Sequence, residues 1–418
     1  MDRTTGHLWE SEAEAGIALI GNSPPRRCGI ATFTDDCFRA MRDRFPDMRV
    51  DYFAMDDGAD RLDYPDHVRT ILADDLGHYI GAGLRIEQSD AAAIWLQHEF
   101  GIFGGDAGEY ILELLAQTAK PVIATLHTVL EQPSADQERV FRALVERASH
   151  LIVMAERGKA ILQARYGVRP SKVSVIPHGV PDRPFKATAE PKAALGLDGR
   201  KLLLTFGLLA PDKGIGSMIE AMPAIIEKHP DALYLVLGAT HPNLARHEGE
   251  RLRHGLMRRA DELGVGAHVR FAADYLDLPE LLDHVQAADI YVTPYLNPAQ
   301  VVSGTLSYAV AMGKPVVSTP YVHAREILSD DHGILVPFAD SAGLATAITG
   351  LFDDETERAR LARRAYARGR SMLWSLCAER VGALIGRLSG EARAPSLSIT
   401  SPATFARSGA FTPGYIGG

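Results

Sequence analysis

Cysteine is scarce: Cys28, Cys37 and Cys377 are the only three in 418 residues. An odd count with no CxxC spacing leaves neither a disulfide framework nor a zinc ribbon to be read. No stretch approaches the roughly 18 consecutive apolar residues of a membrane-spanning helix. The opening MDRTTGHLWESEAEAG lacks the apolar core of a secretory leader, so a cytoplasmic enzyme is the default expectation. Excess positive charge is also missing. Against 53 Asp and Glu stand 44 Lys and Arg, a formal net charge of -9, which argues against a general nucleic-acid binder. There is no Asp-x-Asp pair to hold a divalent ion on a diphosphate. Nor is the loop after the first apolar run, GNSPPRRCGIATF (21–33), a GxGxxG turn. Neither a metal nor a dinucleotide cofactor is indicated.

What is present is a chain too long for one ordinary core, with 46% hydrophobic and 23% charged residues, as in globular proteins. Short apolar runs alternate with amphipathic stretches. GIALIG (16–21), VDYFAM (50–55), AAIWLQ (92–97), PVIATLH (121–127), HLIVMA (150–155) and KVSVIPHGV (172–180) read as strands of a first unit. KLLLTFG (201–207), ALYLVLG (232–238), HVRFAA (268–273), DIYVTPY (289–295), KPVVSTP (314–320) and a short HGILVPF (332–338) read as strands of a second. Such alternation predicts an α/β protein of two Rossmann-like, doubly wound parallel sheets in tandem. The expected organisation is an N-terminal extension (1–15), a first domain (16–183), a linker (184–199), a second domain (200–372), a last helix (373–390) and a Ser/Pro/Gly-rich flexible tail (391–418). The Arg-rich stretch Arg358–Arg370 reads as a solvated helix face. Peripheral contact with anionic lipid stays open beside it.

Ligands of open parallel sheets bind past the carboxyl ends of the strands. Past the first strand, Gly29 opens a helix whose free N–H groups suit an anion such as a diphosphate; a plain turn is the other reading. LQHEFGIFGG places His98, Glu99 and Gly101 past a strand end, and TLHT does so for His127. Two histidines at successive strand ends favour a site over two structural hydrogen bonders. His178, in IPHGV, falls at the domain junction, where it reads equally as an interdomain cap. In the second unit, Lys213 lies at a helix N-terminus. A cation there opposes the helix dipole at a cost of a few tenths of a kcal/mol, which makes sense if an anion occupies the same place. Ser303, Gly304 and Thr305 open another helix and offer N–H groups and hydroxyls to a phosphate, a reading compatible with an ordinary N-cap.

These residues resemble a known family. Residues 16–388 are similar to retaining glycosyltransferases of the group 1, family 4-like, GT-B kind, on FGLLAPDKG, PAQVVSGTLSYAVAMGKPVVSTP and REIL. The first half resembles a bacterial subgroup on PPRxCGIATF, LQHEFGIFGG, TLHT and IPHGV. The last helix, with Trp374, fits one that crosses back to the N-terminal domain. The resemblance implies an N-terminal acceptor domain and a C-terminal nucleotide-sugar donor domain around a central cleft. It implies a hexosyltransferase that retains anomeric configuration without a metal or other cofactor, the nucleotide-diphosphate sugar being co-substrate. It also implies that Gly29 faces the donor diphosphate, that His127 faces the transferred sugar, that Lys213 neutralises the diphosphate, and that the Ser303–Thr305 backbone holds the distal phosphate. His98, Glu99 and Gly101 fall on the acceptor side.

Two departures stand out. Leu208 occupies a place where the family usually has Arg. Gln300 and Tyr308 occupy the places of two glutamates, the first contacting donor-sugar hydroxyls and the second the ribose. The amide of Gln300 can still serve hydroxyls; Tyr308 offers one hydroxyl. GDP-mannose and UDP-glucose both fit as donors. The acceptor is a saccharide, a lipid-linked sugar or a small metabolite, as in polysaccharide biosynthesis. The alternatives are a sugar-nucleotide-binding homologue without turnover, another enzyme on this architecture such as a sugar phosphorylase or nucleotide-sugar epimerase, and a Rossmann-like binding module for another anion.

Overall fold

The computed structural model describes residues 16–58, 62–272 and 276–390. In it the alternation becomes two parallel sheets. The first holds β1 (Gly16–Gly21), β2 (Val50–Asp56), β3 (Val68–Leu72), β4 (Ala91–His98), β5 (Val122–Leu126), β6 (His150–Val153) and β7 (Val173–Val175), in the order β3-β2-β1-β4-β5-β6-β7. The second holds β8 (Lys201–Phe206), β9 (Ala232–Leu237), β10 (Val269–Ala272), β11 (Ile290–Thr293), β12 (Val316–Ser318) and β13 (Ile334–Leu335), in the order β10-β9-β8-β11-β12-β13. Both are doubly wound, Rossmann-like sheets, as the sequence predicts. In each the strand order reverses beside the first strand, between β1 and β4 and between β8 and β11, which is where such sheets open a crevice. The expected extension (1–15) and tail (391–418) lie outside the described residues.

Both faces of each sheet are covered, so the strands are apolar on alternate residues in both directions. Ala18 and Ile20 of β1 enter one core with Ile94 and Leu96 of β4. Ile17 and Leu19 enter another with Ala93 and Trp95. β3 was not among the strands read from the sequence. Only two of its five residues are buried, so this edge strand carries little apolar signal.

The last helix, Trp374–Leu388, belongs to the N-terminal core. Its Cys377, Ala378, Val381, Leu384 and Ile385 are buried with Phe33, Cys37 and Met41 of the helix Gly29–Arg44. Trp374 lies so close to Gly179 that a Cβ there would sit 2.0 Å from the indole. The two chain crossings between the domains are tied side by side: Val180 N–H donates to Met372 O at 2.9 Å, and Trp374 N–H to Val180 O at 3.1 Å. The segment read as a linker carries a helix, Ala189–Ala194. It is fastened to the second domain by Lys192 Nζ, 2.5 Å from Asp289 Oδ2. In the Arg-rich helix Glu355–Gly369 and the turn after it, Arg358, Arg368 and Arg370 donate to the carbonyls of Leu351, Glu326 and Ala311. Those guanidinium groups therefore serve the domain itself. Among the described residues no helix is long and apolar enough to cross a membrane.

Candidate active site

The strand ends of the two sheets meet across a cleft of about 1350 Å³. That exceeds the roughly 300–1,000 Å³ of a site for one drug-sized ligand and has room for two substrates. Gly29, Glu99 and His127 line it from the first domain, and Gln300, Gly304 and Thr305 from the second.

On the C-terminal side, the helix Gly304–Ala311 begins at the cleft. Ser303 caps it: its Oγ accepts from Leu306 N–H at 3.3 Å. The Ser303 N–H donates to Nδ1 of His323 at 3.0 Å, and Ser303 is 4% exposed. This corrects the expectation that Ser303 meets a phosphate, since its donors and acceptors are engaged in holding the loop. Gly304 and Thr305 remain, as the first-turn N–H groups an α-helix leaves unpaired. Gln300 lines the cleft, with its side-chain Nε2 donating to Val302 O at 3.0 Å and its main-chain carbonyl accepting from His323 N–H at 3.1 Å.

Lys213 stands behind this wall. Its ammonium lies 4.2 Å from the centroid of the Tyr295 ring, and the Tyr295 hydroxyl is 3.0 Å from Thr305 Oγ1. It makes no ion pair among the described residues. Gly214 fixes the place: its φ is +66°, and a Cβ would fall 1.9 Å from Pro294 O, so only glycine lets the β8 loop close on the β11 loop. Tyr308 is a second correction. It is 6% exposed, and its hydroxyl donates to Asp36 Oδ2 of the opposite domain at 3.0 Å. It clamps the domains together rather than presenting a hydroxyl to the cleft. Burial pushes the Asp36 carboxyl up to about 6, against the lowering effect of that hydrogen bond.

On the N-terminal side, the helix Gly29–Arg44 starts with a weak cap, the thiol of Cys28 accepting from Ala31 N–H at 3.4 Å. A Cβ on Gly29, which lines the cleft, would meet nothing within 4 Å. His127 rests edge-on against Phe33, ring centroids 4.7 Å apart, with Nε2 3.1 Å from Gln97 Oε1. Glu99 lines the cleft, its carboxylate accepting from Thr128 Oγ1 at 2.6 Å and Phe100 N–H at 2.9 Å. Burial pushes its carboxyl up.

His98 and Gly101 do not join the acceptor side as expected. His98 is 0% exposed, its ring among Phe100, Phe103 and Phe141, and Gly101 sits on an exposed turn outside the cleft lining. Strand alternation explains the difference. Ile94, Leu96 and His98 share one face of β4, while Trp95 and Gln97 share the other, with His127. Gln97, fully buried, is thus the β4 residue that positions the cleft-lining His127, and no sequence motif marks it. His178, His323 and Phe33 were not among the chosen site residues either. His178 lines the cleft, and the Phe33 ring lies 4.9 Å from it. Burial holds His127 and His323 down to about 3 and His178 to about 4, so all three imidazoles are neutral at pH 7. No group of three or more metal-ligating side chains is suitably placed among the described residues.

Comparison with known proteins assigns each domain. Residues 29–183 match a family model described as Glycosyltransferase Family 4, and residues 200–354 one described as Glycosyl transferases group 1. D-inositol 3-phosphate glycosyltransferase of Corynebacterium glutamicum is 25% identical over 336 residues, 75% of this chain and 77% of that protein. Phosphatidyl-myo-inositol mannosyltransferase of Mycolicibacterium smegmatis is 28% identical over 284 residues, 67% and 69% of the two chains. In fold, sucrose-phosphate synthase of Thermosynechococcus elongatus superposes with a TM-score of 0.73 at 22% identity, over 90% of this chain and 99% of that one. HepE of Anabaena, solved with UDP and glucose, superposes with 0.69 at 17%, over 89% and 100%. With two GT-B sheets, a family model on each and a cleft between them, the chain belongs to the group 1 glycosyltransferases.

Proposed function

We propose that the protein moves a hexose from a nucleoside-diphosphate sugar to a saccharide or lipid-linked acceptor, with retention of configuration, in the interdomain cleft. The observation that carries this reading is the meeting of two helix starts across one cleft, Gly29 from one domain and Gly304–Thr305 from the other, with the Lys213 ammonium one side chain behind. N–H groups at helix starts and a cation are what a pyrophosphate needs. The relatives named as inositol-phosphate glycosyltransferase and phosphatidylinositol mannosyltransferase, and the neighbour solved with UDP and glucose, support a sugar nucleotide as donor.

As the bond from the sugar anomeric carbon to the diphosphate breaks, charge builds on the departing phosphate oxygen. Fixed donors aimed at that oxygen stabilise the transition state more than the ground state. His127 and Gln300 orient the sugar. The acceptor hydroxyl attacks from the face the phosphate leaves and gives its proton to that phosphate. No metal or further cofactor enters this scheme, because main-chain N–H groups and Lys213 take the leaving charge. Closure of the domains, clamped by Tyr308 on Asp36, excludes water and so limits hydrolysis of the donor.

One observation favours the alternative of a binding homologue without turnover: Gln300 and Tyr308 are not acids, and Tyr308 is engaged by Asp36. A thermal-shift screen of UDP, GDP, ADP and their sugars, followed by turnover of the hit, separates the readings. A ligand at a hundredfold excess over its Kd adds about 2.7 kcal/mol of stability. Stabilisation with transfer supports the transferase, stabilisation without transfer supports the alternative, and no stabilisation contradicts both. Gly29→Leu should keep its melting temperature, since a Cβ there meets nothing within 4 Å. It should lose the hit by about tenfold or more in Kd (~1.4 kcal/mol). Unchanged affinity would take the first-domain helix start out of the donor site.

A further inference from the structure

We propose that His178 is a specificity-determining residue, whose Nε2 accepts a hydrogen bond from a hydroxyl of the bound nucleotide sugar beside Gly304. The inference rests on the donor reading above and extends it to a residue that reading did not use.

Hydrogen bonding fixes the imidazole. Nδ1 lies 2.8 Å from Gly179 O. A carbonyl only accepts, so Nδ1 carries the proton and Nε2 of the neutral ring presents a lone pair. Burial holds the ring neutral at pH 7, so that lone pair persists. Among the described residues Nε2 has no hydrogen-bond partner, and it is not enclosed as the nitrogens of His98 are.

Position directs that lone pair at the ligand. A Cβ on Gly304 would stand 2.7 Å from Nε2, 3.1 Å from Cε1 and 3.4 Å from Cδ2. The ring edge therefore lies over the first residue of the helix Gly304–Ala311, and glycine is what lets it approach. Around the ring stand Phe33 at 4.9 Å, Trp374 at 5.9 Å and Tyr308 at 6.0 Å between centroids. These walls hold the ring in place. One small region thus offers N–H donors suited to an anion and, from the other domain, an acceptor suited to a hydroxyl. A ligand carrying a phosphate and a hydroxyl a few ångströms apart satisfies both, and a nucleoside-diphosphate sugar carries hydroxyls on its ribose and on its hexose. The two partners come from different domains, so a ligand held by both bridges the domain junction.

The test is a substrate-by-variant cycle. The donor found in the screen and analogues lacking one hydroxyl at a time, at ribose 2′ and 3′ and at each hexose carbon, are compared on the native protein and on His178→Phe, which keeps an aromatic ring. One deletion should cost the native protein about tenfold in Kd and in kcat/KM. His178→Phe should lose about tenfold with the full donor and nothing further with that analogue. Which analogue behaves so tells the ribose from the hexose. His178→Gln, which retains an acceptor, should recover part of the discrimination and guards against a Phe variant that fails to fold. Equal losses from every deletion in all three proteins would overturn the assignment while leaving the donor reading intact. Absence of any nucleotide binding by the native protein would overturn both.

Discussion

Lys213→Ala is expected to lower kcat by on the order of a hundredfold, the usual cost of removing one fixed donor from a developing oxyanion (~2.7 kcal/mol). The ammonium has no carboxylate partner among the described residues, so its charge is not neutralised within the protein. It lies against Tyr295, 4.2 Å from the ring centroid, and a cation–π contact contributes about 0.5–2 kcal/mol. The fold should therefore survive the change while turnover does not. Leu208 stands where the family usually has an arginine, so the transition state depends the more on this lysine. Lys213→Arg keeps the charge in a different shape and should fall between the two. Initial rates at saturating donor, with melting temperature as control, decide the matter. A rate within threefold of the native protein would remove the lysine from the mechanism.

The second large effect concerns acid. His98, His127, His178 and His323 are held neutral by burial, at about 4, 3, 4 and 3 against an ordinary 6.5. Below pH 6.5 the unfolded chain binds protons at these positions and the folded chain does not. Stability is then fully present above pH 6.5 and is lost as pH falls towards 4. His98, 0% exposed, and His323, 4% exposed, each lose about 1.4 kcal/mol per pH unit. Two units of acidification remove roughly 5 kcal/mol, the lower end of what holds a domain together. The two cleft histidines add less, because water reaches them. Asp36, raised to about 6, and Glu99, also raised by burial, act in the opposite sense, gaining their protons first in the folded state, but they are two carboxyls against four imidazoles. The melting temperature should fall steeply between pH 6 and 4.5. Neither ring nitrogen of His98 has a hydrogen-bond partner, so His98→Leu should keep neutral-pH stability and flatten the acid slope by about 1.4 kcal/mol per pH unit. A profile flat from pH 7 to 4.5, or a slope that His98→Leu leaves unchanged, would contradict this account.

How much of this was legible depended on the kind of signal. Fully buried parallel strands such as GIALIG and ALYLVLG announce themselves as apolar runs. The edge strand Val68–Leu72, half of it solvated, does not. Glycine-bearing loops pointed to the right strand ends, and Gly29, His127, Gln300, Gly304 and Thr305 do share one cleft. The errors came from side-chain direction. His98 lies at a strand end, yet it shares a face with Leu96 and turns into the core, while Gln97 reaches His127. Counting in twos along β4 from Trp95 separates the pair. At Ser303 a cap and an anion site have the same sequence signature; the difference rests on His323, twenty residues away. Tyr308 and Asp36 lie 272 positions apart, and nothing local to either marks their meeting. A clamp between domains is a property of the closed fold.

The central claim is that both domains hold one pyrophosphate between them, and its most direct test is the structure of the protein crystallised with the nucleoside diphosphate that stabilises it most. The account predicts the distal phosphate within hydrogen-bonding distance of the Gly304 and Thr305 N–H groups, Lys213 turned from Tyr295 towards it, and Gly29 across the cleft. A nucleotide bound with its phosphates away from Gly304, and Lys213 still lying on Tyr295, would contradict it.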